Sequence, residues 1–393
     1  MKEPGRTFLR ENTINMTKPI RVLALMESSL YGGPAVNLVE TALLLRERVH
    51  TEVATFVRGE ATESEFIATL RQKNIPCHVV HERFRYDPGA ILQLNKIIKE
   101  MRPDIIQVHN TKSRLFLRLL GAWGMVAKRP VIDFFHGETW EDAKQRLYNR
   151  LDRLLFSRSR QIVCVAHFQK KMLTAWGIDP ERITVVHNGI VAERVQNAPA
   201  APAPGKRIIL SVGRLSPEKG HLLLVEAFAA LTASHPDTTL LLVGDGIEKE
   251  KIKRSLAAKK LEDRVELAGY QSDPTPFYHR AHLFVLPSLS EGLPNVLLEA
   301  SCHGLPIIAF DSGGVTEIIR NGKEGRVLPE KTVPALTQAL DEFLRDPAAA
   351  GKMARQAQAR VQQHFNMAAR ALAMLACYHS LLHSLASGSN EID

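Results

Sequence analysis

The sequence predicts an α/β protein built from two doubly wound domains. Three observations carry that expectation. Short apolar, β-prone runs alternate with segments of helical periodicity in both halves, the pattern of a parallel sheet covered by helices. The stretch Asn197-Ala-Pro-Ala-Ala-Pro-Ala-Pro-Gly205 separates the halves and offers few side chains that could pack, as expected of a semi-rigid joint. The chain has 393 residues, more than one hydrophobic core usually supports.

In chain order, residues 1–18 carry charged and polar groups and read as a flexible lead-in. The first domain, 19–196, has candidate strands at Arg21–Met26, Glu52–Val57, Cys77–Val80, Asp104–His109, Val131–Phe135, Gln161–Val165 and Ile183–His187. Helical periodicity falls between them, at Ala35–Arg46, Gly89–Met101 and Lys144–Phe156. Residues 197–205 are the linker. The second domain, 206–366, has candidate strands at Arg207–Val212, Thr239–Val243, Val265–Leu267, Leu283–Leu286 and Pro306–Ala309. From Val333 the pattern turns helical to the end, and Met367–Leu385 within 367–393 is rich in Ala and Leu. In open sheets of this kind ligands bind beyond the carboxyl ends of the strands, so the cleft between two such domains is the natural active site.

Composition narrows the function classes. Hydrophobic residues make up 45% and charged residues 24%, ordinary for a globular protein. No apolar run approaches the roughly 20 residues of a membrane-spanning helix, and Met1–Lys18 lacks the apolar block of a secretory signal. Cys77, Cys164, Cys302 and Cys377 are far apart, which argues against a zinc knuckle or disulfide framework and fits a reducing cytoplasm. The net charge of +9 lies wholly in the first half: residues 1–198 hold 30 Lys+Arg against 21 Asp+Glu, and the remainder hold 21 of each. That bias fits an anionic partner or plain solubility equally well. The chain shows no nucleic-acid-binding module or basic-aromatic sheet signature.

The residues that could carry chemistry cluster at strand ends. Gly32-Gly33 lies between the first strand and first helix, where glycine lets a ligand approach the backbone, although strand-to-helix turns commonly contain glycine. It is not a Gly-x-Gly-x-x-Gly fingerprint. Arg214 and Lys219 flank a turn after the first strand of the second domain, set by Gly213, Pro217 and Gly220. Cations there could stabilise a departing diphosphate, or simply be solvated. Glu291 and Glu299 frame seven residues, one on a glycine turn and the other on a helix opened by Pro294. Carboxylates suit sugar hydroxyls, and Glu299 has apolar neighbours that argue against a fully solvated face. His136 ends a strand and could bond a sugar hydroxyl or move a proton; His109, at another strand end, is its competitor. No Asp-x-Asp occurs, and no His/Cys/Glu run has metal spacing. In Lys144–Phe156, Leu147, Leu151, Leu154 and Leu155 share a face, with Lys144, Arg146, Arg150 and Arg153 elsewhere. That is a helix packed on its own sheet, or a basic helix on an anionic membrane.

Taken together, Gly32-Gly33, His136-Gly137, His187-Asn188-Gly189, Gly213-Arg214-x4-Lys219-Gly220, Gly244-Asp245-Gly246 and Glu291-x7-Glu299 resemble glycosyltransferase family 4, the retaining "glycosyl transferases group 1". The resemblance runs from about residue 20 to about residue 385, with the more specific motifs in the second domain. It implies a GT-B fold, in which two doubly wound Rossmann-like domains face across a cleft and a C-terminal helix crosses back to the first. It implies that Arg214 and Lys219 hold the donor diphosphate and that Glu299 binds the ribose hydroxyls. Glu291 would face the sugar, with backbone amides from Gly292 through Leu293, Pro294 and Asn295 to Val296 on sugar and phosphate. His136 would lie beside the sugar, Gly32-Gly33 would approach the diphosphate from the opposite domain, and Tyr270 would lie near the base. The turn reads Gly-Leu-Pro-Asn where many members carry Gly-Phe-Gly.

The implied activity is transfer of a hexosyl or N-acetylhexosaminyl group from a UDP- or GDP-linked sugar, without metal or cofactor. The acceptor would be a lipid-linked or anionic glycan of cell-surface polysaccharide or lipopolysaccharide synthesis. The enzyme would be cytoplasmic, at the inner face of the cell membrane. The alternatives are a nucleotide-sugar epimerase, a phosphorylase of similar architecture, or a catalytically silent nucleotide-sugar-binding scaffold.

Overall fold

The structure is a computed structural model that describes residues 18–59, 64–124, 129–137, 152–191 and 207–388. Two parallel sheets form its centre. The first contains β1 (Ile20–Leu25), β2 (Val49–Arg58), β3 (Cys77–Glu82), β4 (Ile105–Val108), β5 (Val131–Phe135), β6 (Gln161–Cys164) and β7 (Ile183–Val185), in the order β3-β2-β1-β4-β5-β6-β7. The second contains β8 (Arg207–Val212), β9 (Thr238–Val243), β10 (Val265–Gly269), β11 (Leu283–Leu286), β12 (Ile307–Phe310) and β13 (Arg326–Leu328), in the order β10-β9-β8-β11-β12-β13. This is the predicted pair of doubly wound α/β domains.

The strand order explains why the chemistry gathers where it does. β1 pairs with β2 on one side and β4 on the other, and β8 pairs with β9 and β11. The winding reverses between β1 and β4 and between β8 and β11, and the gap it opens lies at the carboxyl ends. Gly32-Gly33 follows β1 and His109 follows β4; Arg214 and Lys219 follow β8 and Glu291 follows β11. The strands are near-continuous apolar runs because helices cover both faces: Leu23, Leu25, Ile105 and Ile106 are fully buried, as are Leu210, Leu283 and Phe284.

The final helix, Met367–Gly388, belongs to the first domain's core. Ala371, Met374, Leu375, Tyr378 and Leu381 pack with Ile20, Val22, Ile105, Ile132 and Val163. The crossing is pinned at one point: Ile190 N–H donates to the Phe365 carbonyl, and Met367 N–H donates to the Ile190 carbonyl. A Cβ on the neighbouring Gly189 would lie 2.8 Å from Met367 Cα, so only glycine lets the two segments meet.

Three expectations needed correction or fall elsewhere. β13 was not predicted; it has three residues, begins with the exposed Arg326, and pairs only with β12. Leu154, expected on the packed face of its helix, is 54% exposed, while Leu155 and Phe156 are buried and the Arg153 guanidinium lies over the Trp176 ring at 4.4 Å. The rest of that segment, Lys144–Leu151 with Arg146 and Arg150, lies outside the described residues, as do the lead-in to residue 17 and the Asn197–Gly205 linker.

Candidate active site between the two sheets

The second-domain half of the site is a turn held by glycines. Gly213 N–H donates to the Val243 carbonyl, and Leu215 N–H donates to the Asp245 carbonyl. The two loops approach so closely that a Cβ on Gly244, at φ +146°, would fall 1.9 Å from the Gly213 oxygen, and one on Gly246 would fall 2.4 Å from the Leu215 oxygen. The Gly244-Asp245-Gly246 motif is therefore a brace for the Arg214–Lys219 turn. Pro217–Lys219 forms a single 3-10 turn, ended by Gly220 at φ +66° against the Pro287 carbonyl.

This turn delivers Lys219 to Glu291. Lys219 Nζ lies 2.7 Å from Glu291 Oε1, and the Glu291 side chain is only 7% exposed. Arg214 Nη2 donates to Glu218 Oε1 at 3.3 Å, and the same oxygen accepts from Ser216 Oγ at 2.7 Å. The Arg214 guanidinium is thus held through Nη2, with 48% of the side chain exposed.

The Glu291-Gly292 loop is held from behind. Gly314 N–H donates to the Gly292 carbonyl at 2.7 Å, and Gly313, at φ +54°, lies where a Cβ would meet the Glu291 oxygen at 1.9 Å. The helix Asn295–Cys302 then starts with Pro294 at its N-cap. Pro294 has no N–H, which corrects the expectation of an amide donor there; Asn295 and Val296 supply the outward-pointing amides of the first turn. Glu299 Oε2 accepts from the Tyr278 hydroxyl at 2.8 Å. Tyr278 is 2% exposed, and burial, reinforced by Glu299, pushes its phenol well above the usual range, so it stays a donor.

The first domain closes onto this loop. A Cβ on Gly292 would come within 2.9 Å of the His136 carbonyl, and one on Gly33 would come within 2.6 Å of Asn295 Nδ2. Gly32 has open space around its Cβ position, so the two adjacent glycines differ in role. Asn188 Nδ2 donates across the cleft to the Leu293 carbonyl at 3.0 Å. His136 and His109 are bonded partners rather than competitors: His136 Nε2 and His109 Nδ1 are 3.2 Å apart. Burial, then the charges of Arg370 and Arg114, hold the His136 pKa down to about 3, so its ring is neutral.

Tyr270 lies at the rim, 45% exposed, and its hydroxyl donates to Glu65 Oε2 of the first domain at 2.8 Å. Buried polar atoms without a protein partner line the second-domain strand ends: Ser288 Oγ, Asn295 Oδ1, Ser312 Oγ and both nitrogens of His221. Each is a polar atom that water or a bound ligand could satisfy.

Several contributors had no sequence signal. Tyr278, Gly313 and Gly314 act through contacts that only the fold creates, and Asn188, part of the His187-Asn188-Gly189 motif, gains its partner only in the fold. The fold also assembles His167, His187 and Glu317, whose ligand atoms lie within 4.8 Å of one another although their spacing shows no metal motif. The carboxylate is already engaged. Glu317 Oε1 accepts the Phe168 N–H, and Oε2 accepts the His167 N–H at 2.9 Å and lies 3.0 Å from His187 Nε2. Glu317 of one domain thus caps the helix His167–Ala175 of the other. Burial opposes its ionisation, yet the bonds from His187, Phe168 and His167 outweigh that and lower its pKa.

Residues 194–360 match the family described as glycosyl transferases group 1, and residues 31–194 match glycosyltransferase family 4. Glycogen synthase of Mycobacterium tuberculosis is 29% identical over 289 residues, covering 70% of this chain and 69% of the relative. The Escherichia coli UDP-Gal:alpha-D-GlcNAc-diphosphoundecaprenol alpha-1,3-galactosyltransferase is 25% identical over 333 residues, 79% of this chain and 84% of its own. Among solved structures, Anabaena HepE in complex with UDP-glucose has a TM-score of 0.77 at 20% identity, covering 94% of this chain and 100% of HepE. At that identity the likeness speaks for the fold, a GT-B pair of domains.

Proposed function

We propose, for a chain that belongs to the glycosyltransferases of group 1 and family 4, that it is a retaining enzyme that passes a hexosyl or N-acetylhexosaminyl group to a hydroxyl of a lipid-linked or anionic glycan. The observation that carries this reading is the Lys219–Glu291 pair at the carboxyl ends of β8 and β11, on a loop whose Gly292 and Asn295 meet His136 and Gly33 of the first domain. Membership of a transferase family supports glycosyl transfer over the epimerase and phosphorylase readings, and the panel below separates it from a silent scaffold.

Arg214 and Lys219 would receive the diphosphate, beside the first-turn amides of Asn295 and Val296. Glu299, oriented by Tyr278, would accept both ribose hydroxyls. UDP-linked sugars are favoured as donors over GDP-linked ones, since HepE is described with UDP-glucose and the galactosyltransferase with UDP-Gal. The bond from the anomeric carbon to the phosphate oxygen breaks as the cations take up its charge. The acceptor oxygen bonds to the same face, and its proton passes to the departing phosphate. Closure of Gly292 on His136 would exclude water.

No helix among the described residues is long and apolar enough to cross a membrane. The basic excess of the first half supports a cytoplasmic enzyme that touches an anionic membrane face where the acceptor resides. Reversing Arg158 and Arg160, both exposed, should weaken binding to vesicles containing anionic lipid.

A panel of UDP- and GDP-sugars tests the reading. One UDP-sugar should protect the protein against thermal unfolding and be hydrolysed slowly without acceptor. Protection by no nucleotide sugar would overturn it.

A further inference from the structure

We infer that Gln107 and His109 are positioning residues that fix the ring tautomer of His136, so that His136 offers an unprotonated Nδ1 to a hydroxyl that donates. The inference deepens the proposed function, which puts the sugar beside His136.

The three side chains form one line that runs inward from the cleft. Gln107, on β4, is 2% exposed and His109 is 8% exposed. Gln107 Nε2 donates to the Tyr378 hydroxyl, which comes from the crossing helix. The same amide turns Oε1 toward His109 Nε2, at 3.2 Å. His109 Nδ1 in turn lies 3.2 Å from His136 Nε2. The rings are stacked: His109 lies 4.2 Å from Phe134 and 5.4 Å from His136, centroid to centroid.

The direction of the proton chain follows from the amide. A carbonyl oxygen only accepts, so His109 Nε2 carries the hydrogen that meets it. A neutral imidazole has one such hydrogen, which leaves His109 Nδ1 as a lone pair. His136 Nε2 must therefore carry the hydrogen that fills this contact, and His136 Nδ1 is left as an acceptor. Both rings are neutral. Burial does this first, and the positive charges of Arg370 and Arg114 add to it, holding His136 at about 3 and His109 well below its usual value.

The consequence is a specificity rule. An acceptor at Nδ1 recognises a hydroxyl through its hydrogen and cannot bond a fluorine in its place. Arg370 and Tyr378 both lie on the helix Met367–Gly388, so the element that crosses back from the second domain helps set this tautomer.

Spectra of the full chain labelled with 15N-histidine read the tautomers directly, with His136→Gln and His109→Gln giving the assignments. The expected wild-type result is a protonated Nε2 and an unprotonated Nδ1 on His136. Gln107→Leu should mix the two tautomers of His136 without lowering its burial, whereas Gln107→Asn, with its amide oxygen, should partly restore one. A wild-type His136 protonated on Nδ1, or a tautomer unchanged by Gln107→Leu, would overturn the inference. A second arm uses UDP-sugars fluorinated one hydroxyl at a time. One position should lose about tenfold or more in kcat/KM with the wild type and much less with His136→Ala. Equal losses in both would also count against it. The spectra need no activity, so failure of the proposed function and failure of the tautomer chain are told apart.

Discussion

Lys219 Nζ and Glu291 Oε1 meet at 2.7 Å, and this pair ties the turn after β8 to the turn after β11. Seventy-two residues separate the partners, and only the strand order, which sets β8 beside β11, brings them together. The carboxylate is almost fully enclosed, and the lysine is less so.

Lys219→Ala leaves an enclosed carboxylate without its ion-pair partner. The expected cost is about 1–3 kcal/mol of stability, read by urea unfolding. Transfer should fall further, by roughly 100-fold or more in kcat/KM, because a group that stabilises departing charge is lost. Near-normal transfer would remove Lys219 from the mechanism.

Gly292→Ala tests closure of the domains. Its Cβ would press on the His136 carbonyl of the other domain at 2.9 Å and on Gln169 Nε2 at 2.8 Å. Domains held slightly apart should lose about 10-fold or more in kcat/KM, with a shift in thermal midpoint small by comparison. Gly121→Ala, in the helix Thr111–Ala122 with open space at its Cβ position, serves as the tolerated control.

Tyr278→Phe removes the hydroxyl that donates to Glu299. Loss of one buried hydrogen bond to a charged group should weaken UDP binding by about 1–2 kcal/mol, roughly 10-fold in Kd. Calorimetric titration of UDP measures it. Unchanged affinity would mean that Glu299 is oriented by other contacts.

Acid should destabilise the fold through its buried histidines. Burial, reinforced by nearby cations, holds His136 and His221 at about 3, below the value near 6.5 of the unfolded chain. Between those values the unfolded state binds the extra protons, so stability falls as pH drops below about 6.5 and levels off near 3. Each group contributes on the order of 1 kcal/mol per pH unit in that window. Urea midpoints across the range should show a shallower slope for His221→Gln than for the wild type, and equal slopes would refute the assignment.

The sheets were legible because parallel strands covered on both faces read as unbroken apolar runs, such as Ile-Ile-Leu-Ser-Val in β8 and Leu-Phe-Val-Leu in β11. β13 was not, because Arg-Val-Leu is too short to stand out from a loop. Arg214, Lys219, Glu291 and Glu299 stand out as candidates because each follows a recognisable strand. The contacts that join the two domains do not: Asn188 and Leu293 are 105 residues apart, and Glu317 and His167 are 150 apart, so no local pattern links them. His109 and His136 look like competing candidates in one dimension; the pairing of β4 with β5 makes them a bonded pair.

A nucleotide-diphosphate site at the carboxyl ends of β8 and β11 is tested by calorimetric titration of UDP into the wild type and into Glu299→Ala. Saturable binding at one site is expected, weakened about 10-fold or more by the substitution, with the variant still folded by thermal melting. Equal affinity for the two proteins, or no binding of UDP by the wild type, would contradict it.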